Sequence, residues 1–121
     1  MPMLPVKKSR AARIRIRFPV EVRGSRQSFR AEATDLSVEG LCCRSPILLV
    51  AGERAGISLL FQGVSPIQLS FEVRWIRPTG ASHYLTGVEF VHTPVSRKAF
   101  QQLIWRVESG ELQGAKEARV S

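Results

Sequence analysis

The stretch Ile14-Arg15-Ile16-Arg17-Phe18-Pro19-Val20-Glu21-Val22-Arg23 alternates apolar and polar residues over ten positions. A period of two places Ile14, Ile16, Phe18, Val20 and Val22 on one face of an extended chain, with Arg15, Arg17, Glu21 and Arg23 on the other. The stretch is therefore a half-buried β-strand. Pro19 has no N–H to give to a neighbouring strand, which predicts an edge or a bend at that point.

Reading outward from this strand, the pattern repeats with turn residues between. Gly24-Ser25 turns the chain, and Ser28 to Thr34 returns as the second arm of a hairpin. Asp35 to Gly40 breaks the run, and Leu41 to Arg44 resumes it. Pro46 and the apolar Ile47-Leu48-Leu49-Val50 lead to Gly52, and a further strand is expected from Ala55 to Phe61. Ile67 to Arg77 alternates again, with Ile67, Leu69, Phe71, Val73 and Trp75 expected on the core side. Pro78-Thr79-Gly80 reads as a hairpin tip and Tyr84 to Val91 as the last strand.

After Pro94 the period changes. Ala99, Phe100, Leu103, Ile104 and Val107 recur at three- and four-residue intervals, which predicts an amphipathic helix over Ser96 to Val107 with Ser96 as its N-cap. Six or seven short strands and one terminal helix describe an all-β fold, a small six-stranded antiparallel β-barrel capped by a C-terminal α-helix. The expected organisation is a flexible basic N-terminal arm over residues 1–13, a barrel domain with its helix over residues 14–107, and a polar, frayed tail over residues 108–121.

Composition narrows the function classes. The chain has 121 residues, 44% hydrophobic and 23% charged, enough for one core. The formal net charge of +8 biases it toward anionic partners, and arginine, which grips phosphate bidentately and stacks on bases, is the dominant cation. No apolar run is long enough for a membrane helix, and the basic start lacks the core of a signal peptide, so the expected compartment is the cytoplasm. Cys42 and Cys43 are adjacent, face opposite sides of a strand, and read as reduced thiols; no metal site is expected. The sole aspartate is Asp35, and no catalytic triad or Gly-rich phosphate loop is present, which argues against an enzyme. No cofactor is expected.

The chemistry concentrates in Asp35-Leu36-Ser37-Val38-Glu39-Gly40. A carboxylate, a hydroxyl and open backbone N–H groups suit the edge of a guanine, and Gly40 permits a positive φ or a close backbone approach. The same letters also fit an Asx-type turn with nothing bound.

Asp35, Ser37 and Gly40 match the D/N-x-S-x-x-G signature of the PilZ domain family, which the chain resembles in two further places. Arg13 stands where the second arginine of that family's R-x-x-x-R arm is expected. Phe71-Glu72-Val73-Arg74-Trp75-Ile76-Arg77 followed by Leu85-Thr86-Gly87-Val88-Glu89-Phe90 is similar to its closing hairpin. The resemblance spans residues 7 to 107 and implies a split-barrel fold that binds cyclic-di-GMP. The arm arginines would take the phosphates and stack on guanine, while Asp35, Ser37 and Gly40 hold the guanine edge.

The arm departs from the signature, since Ser9 occupies the place of the first arginine. The resemblance then implies that Arg10 and Arg13 grip the ligand with Lys8 assisting; Arg13 and Arg17 form a second possible frame. Trp75 is expected to pack in the core or at the rim, with ligand stacking the lesser alternative. The implied role is a bacterial receptor that changes its surface on binding cyclic-di-GMP and signals to an unidentified protein controlling motility, biofilm or exopolysaccharide. One alternative is an adaptor, for example in pilus assembly, that has lost the ligand. Another, a barrel for single-stranded nucleic acid, is disfavoured because Phe18, Phe71 and Trp75 fall on the apolar faces rather than among the exposed cations.

Overall fold

A computed structural model describes residues 13–80 and 82–115. Six antiparallel strands, β1 (Ile14–Arg23), β2 (Ser28–Leu36), β3 (Gly40–Ser45), β4 (Arg54–Leu59), β5 (Ile67–Pro78) and β6 (Tyr84–Val91), are followed by helix α1 (Pro94–Glu108). The strands close into a barrel in the order β1-β2-β3-β6-β5-β4. This is the six-stranded barrel with one C-terminal helix that the alternation predicts.

The core is the sum of the inward positions. Phe18, Val20, Val22, Leu36, Leu41, Ile57, Leu59, Phe71 and Val73 are all buried inside the ring. Phe18 stacks on Phe61 with ring centroids 4.7 Å apart. Helix α1 lays Phe100, Ile104 and Val107 against this core, and Phe100 meets Phe90 edge-to-face at 5.3 Å. Trp105 lies on the outer side of the helix and is 59% exposed.

Pro19 stands where the β4-side edge of β1 begins. It pairs with Glu32 of β2, and its carbonyl accepts from the N–H of Leu60 at 3.2 Å. The pairing of β1 with β4 begins only at Val20, so the missing proline donor falls where the β4 side of the ladder ends.

The helix begins earlier than its apolar period suggests. Thr93, not Ser96, is the N-cap: its side chain accepts from the Ser96 N–H, and the Ser96 hydroxyl accepts in return from the Thr93 N–H. Pro94 fits the first turn because a donor there has no intrahelical partner. At the other end Gly110 takes a φ of 83°, and the Gly110 and Glu111 N–H groups close on the carbonyls of Val107 and Arg106. The reversal sends Leu112 into the core, 3% exposed. Gly114 then bridges Phe61, and the Ala115 N–H reaches the Leu60 carbonyl. Residues 109–115 therefore dock on the barrel rather than fray, because a buried apolar side chain and backbone hydrogen bonds hold them.

Trp75 is the main departure on the strands. Val73 pairs with Val88 but Trp75 pairs with Gly87, so Arg74 and Trp75 together oppose one residue of β6. A β-bulge of this kind turns two successive side chains to one face. Phe71 and Val73 remain inside, while Trp75 swings to the outer wall, 39% exposed.

Candidate functional site

A second bulge lies on β2. Ala33 pairs with Cys43 and Asp35 with Cys42, so Thr34 and Asp35 both lie across from Cys42. Both bind its backbone: Asp35 Oδ1 accepts from the Cys42 N–H at 2.9 Å, and the Thr34 hydroxyl donates to the Cys42 carbonyl at 3.3 Å. A third irregularity lies on β1 between Arg15 and Phe18, beside Asp35. Without the β2 bulge Asp35 would share the inward face with Ala31 and Ala33; with it, the carboxylate reaches the outer wall.

These irregularities border a single transverse row. Arg15 pairs with Asp35, Asp35 with Cys42, Cys42 with Gly87, and Gly87 with Trp75. The row crosses five strands, roughly 19 Å along the wall at about 4.8 Å per strand. Its middle is low, with a thiol and a glycine, and its ends carry the cation and the indole. Trp75 lies directly over Gly87: a Cβ there would sit 2.3 Å from the indole Nε1. A shallow cleft of about 280 Å³ runs alongside, lined by Arg13, Glu39, Gly40, Arg74, Trp75, Gly87, Val88 and Glu89.

The sequence-predicted residues fall as follows. Arg13 donates from Nη1 to Asp35 Oδ1 at 2.9 Å, joining the start of β1 to the bulge. Ser37 is 1% exposed and its hydroxyl works within the turn, accepting from the Glu39 and Gly40 N–H groups at 3.1 and 3.3 Å. Gly40 has no positive φ; it is needed for closeness, since a Cβ would lie 2.0 Å from the Val88 carbonyl oxygen. Arg17 points to Glu32 at 3.6 Å, away from Asp35. Lys8, Ser9 and Arg10 lie outside the described residues.

The turn is tied to the helix. The Phe90 N–H donates to the Glu39 carbonyl at 2.8 Å, His92 Nε2 lies 2.9 Å from the Val38 carbonyl, and Arg97 pairs with Glu39 at 2.8 Å. Contacts from β1, β3, β6 and α1 thus hold the six residues from Asp35 to Gly40.

The thiols do not offer a nucleophile. Burial pushes the Cys43 thiol up to about 12, with Cys42 and Asp35 adding to the shift. Burial also raises Cys42, against the opposing pull of the Thr34 hydrogen bond and the Arg13 and Arg77 charges. Neither is a thiolate at neutral pH. Among the described residues no group of three or more His, Cys, Asp or Glu side chains could hold a metal, and no helix is long and apolar enough to cross a membrane.

Sequence reasoning passed over Arg15, Gly87 and Arg77. Arg15 shares the row with Asp35, and Arg77 holds its guanidinium carbon 4.9 Å from the Trp75 ring centroid. The signal for the last was available. Arg77 has the same parity as Trp75, and a core face would not admit a guanidinium, so the alternation must slip before it.

The fold resembles that of YcgR from Escherichia coli, solved in complex with c-di-GMP: TM-score 0.70, 18% identity, 87% of this chain and 48% of that one. It is also similar to the Bacillus subtilis inhibitor of motility MotI/DgrA, with TM-score 0.66, 14% identity, and 88% and 53% coverage. The PilZ domain of CeSA from a cellulose-synthesizing bacterium gives TM-score 0.61 and 18% identity, with 81% of this chain and 99% of that domain covered. The chain thus spans about half the length of YcgR and MotI/DgrA and matches the CeSA domain end to end. No curated protein matches. The family model described as PilZ domain matches residues 7–107, and with that span and this barrel the chain belongs to the PilZ domain family.

Proposed function

We propose that the chain is a receptor for cyclic-di-GMP, bound on the outer wall between Asp35 and Trp75, and that it acts by binding rather than by catalysis. The observation that carries this reading is the 2.9 Å contact between Arg13 and Asp35, which brings the arm signature and the turn signature to one point. Asp35 Oδ1 is occupied by Arg13 and the Cys42 N–H, and Oδ2 has no partner among the described residues. The Asp35 side chain is 23% exposed, and a free carboxylate oxygen there is suited to the N1–H and N2–H₂ of guanine. Arg13 would exchange Asp35 for a phosphate, a charge-assisted bond of about 1.5–3 kcal/mol.

Ser37 and Gly40 support the site from beneath. The hydroxyl holds the turn closed, and the absent side chain at Gly40 lets β3 approach β6. In this reading Arg10 and Lys8 join Arg13 on the phosphates, and the bound ligand changes the surface offered to a downstream protein. The likeness to MotI/DgrA, an inhibitor of motility, makes motility a fitting output for this chain.

The second reading, an adaptor without ligand, is favoured by one observation: Ser9 stands in place of an arginine. Isothermal titration of the full chain with cyclic-di-GMP decides between them. Saturable heat at micromolar ligand supports the receptor; no heat at millimolar ligand leaves the adaptor.

A further inference from the structure

The arm is short of one guanidinium, and the wall carries one that no signature assigns. Arg77 follows Trp75 by two residues on β5, and its guanidinium carbon lies 4.9 Å from the indole centroid. The indole is itself seated on Gly87, which is buried beneath it. A cation stacked on a ring keeps its plane fixed while the N–H groups along its edge stay free. Arg44 belongs to the same level of the wall, since Arg44 and Arg77 both pair with Leu85, from opposite sides.

Charge pairing divides the cations of the wall. Arg13 is paired with Asp35, Arg17 with Glu32, and Arg74 with both Glu72 and Glu89. Among the described residues Arg15, Arg44 and Arg77 have no carboxylate partner, and of these three Arg77 is the one stacked on an aromatic ring. A paired guanidinium must give up its partner before it takes a phosphate; an unpaired, stacked one is ready. Arg13 and Arg77 also both lower the Cys42 thiol electrostatically, against the burial that raises it.

We propose that Arg77, held over Trp75 and seconded by Arg44, is a phosphate-binding residue of this site, so that one phosphate of the ligand is gripped by Arg77 and the other by Arg13. The inference rests on the cyclic-di-GMP reading above. It gives Trp75 a definite task, to orient the guanidinium, and gives Gly87 the task of seating the indole.

The test is titration of the full chain with cyclic-di-GMP, comparing the native protein with Arg77→Ala, Arg77→Lys and Arg10→Ala. Arg77→Ala is expected to weaken binding about tenfold or more, and Arg77→Lys to recover only part, since an ammonium keeps the charge but not the paired donors. Arg10→Ala is expected to cost less than Arg77→Ala. Arg77 is exposed, so the thermal midpoint should hold; if the alanine variant melts early, Arg77→Gln replaces it with the same expectation. An affinity for Arg77→Ala or Arg77→Gln within about twofold of native overturns the role of Arg77 and leaves the receptor intact. Absence of binding by the native chain overturns the receptor reading and Arg77 with it.

Discussion

Arg13 and Asp35, 22 residues apart in sequence, share one hydrogen bond of 2.9 Å at the outer wall of the barrel. Both side chains are partly open to solvent, the arginine 50% and the aspartate 23%. An ion pair so placed contributes roughly 0–1 kcal/mol to stability. In the proposed receptor that weakness matters, because a ligand phosphate would displace Asp35 from Arg13 at little cost.

Arg13→Ala should therefore leave the thermal midpoint nearly unchanged while weakening cyclic-di-GMP binding about tenfold or more. Arg17→Ala, whose side chain turns to Glu32, should cost less than about threefold, on the order of a rim contact. Titration of the two variants checks the order. The reverse order would shift the arginine frame to Arg13 and Arg17.

Two glycines on the same wall should behave oppositely. Gly40→Ala drives a methyl into the Val88 carbonyl, a backbone atom fixed by the β3–β6 ladder. It should cost about 1–3 kcal/mol or more, read as a drop in the chemical-denaturation midpoint. Gly87→Ala meets the Trp75 ring first, the side chain of a residue 39% exposed on the outer wall. Stability should change by less than about 1 kcal/mol, because a side chain rather than backbone gives way. Tryptophan fluorescence and ligand affinity should change clearly.

The Thr86 side chain is fully buried, and its Oγ1 has no hydrogen-bond partner among the described residues. Thr86→Val removes the stranded hydroxyl at nearly the same volume and should raise stability by about 1 kcal/mol. Denaturant unfolding measures this; a loss of stability would mean that the hydroxyl has a partner in solution.

Glu53 links stability to pH. Partial burial works to raise its carboxyl, but hydrogen bonds from the Val50 and Ser25 N–H groups and the Ser25 hydroxyl, with the Arg26 charge, outweigh it and hold the group below its ordinary 4.5. A depressed folded-state value adds stability that is present above the unfolded-state value and is lost as pH falls through the folded one. Thermal melts between about pH 6 and pH 3 should show a smaller decline for Glu53→Gln than for the native chain. Equal slopes would remove Glu53 from the account.

The strands were legible because half-buried β structure writes itself as alternation, and Ile14–Arg23 does so almost without interruption. The turn was legible through Asp35, Ser37 and Gly40. What alternation hides is a slip in its own phase. Asp35 carries the parity of Ala31 and Ala33, and Trp75 that of Phe71 and Val73, yet both face outward because an extra residue precedes each turn-out. The charges recorded the slip: a carboxylate at 35 and a guanidinium at 77 on nominally apolar faces. The Thr93 cap was hidden for another reason, since Pro94 reads as a breaker until it is seen to occupy a first turn. Leu112 was missed because one apolar residue among polar neighbours has no period.

The closed ring of six strands restricts how any protein can dock on this one. From Val20 to Arg23, β1 is hydrogen-bonded to both β2 and β4, so that stretch offers no edge for β-augmentation and a partner cannot add a strand there. Recognition along it must then be read from side chains on the curved surface. On that surface a dianionic nucleotide laid across Arg13 and Arg77 would cancel two of the cations that set the local field. The barrel itself need not move: a partner would sense a change of potential on an unchanged shape.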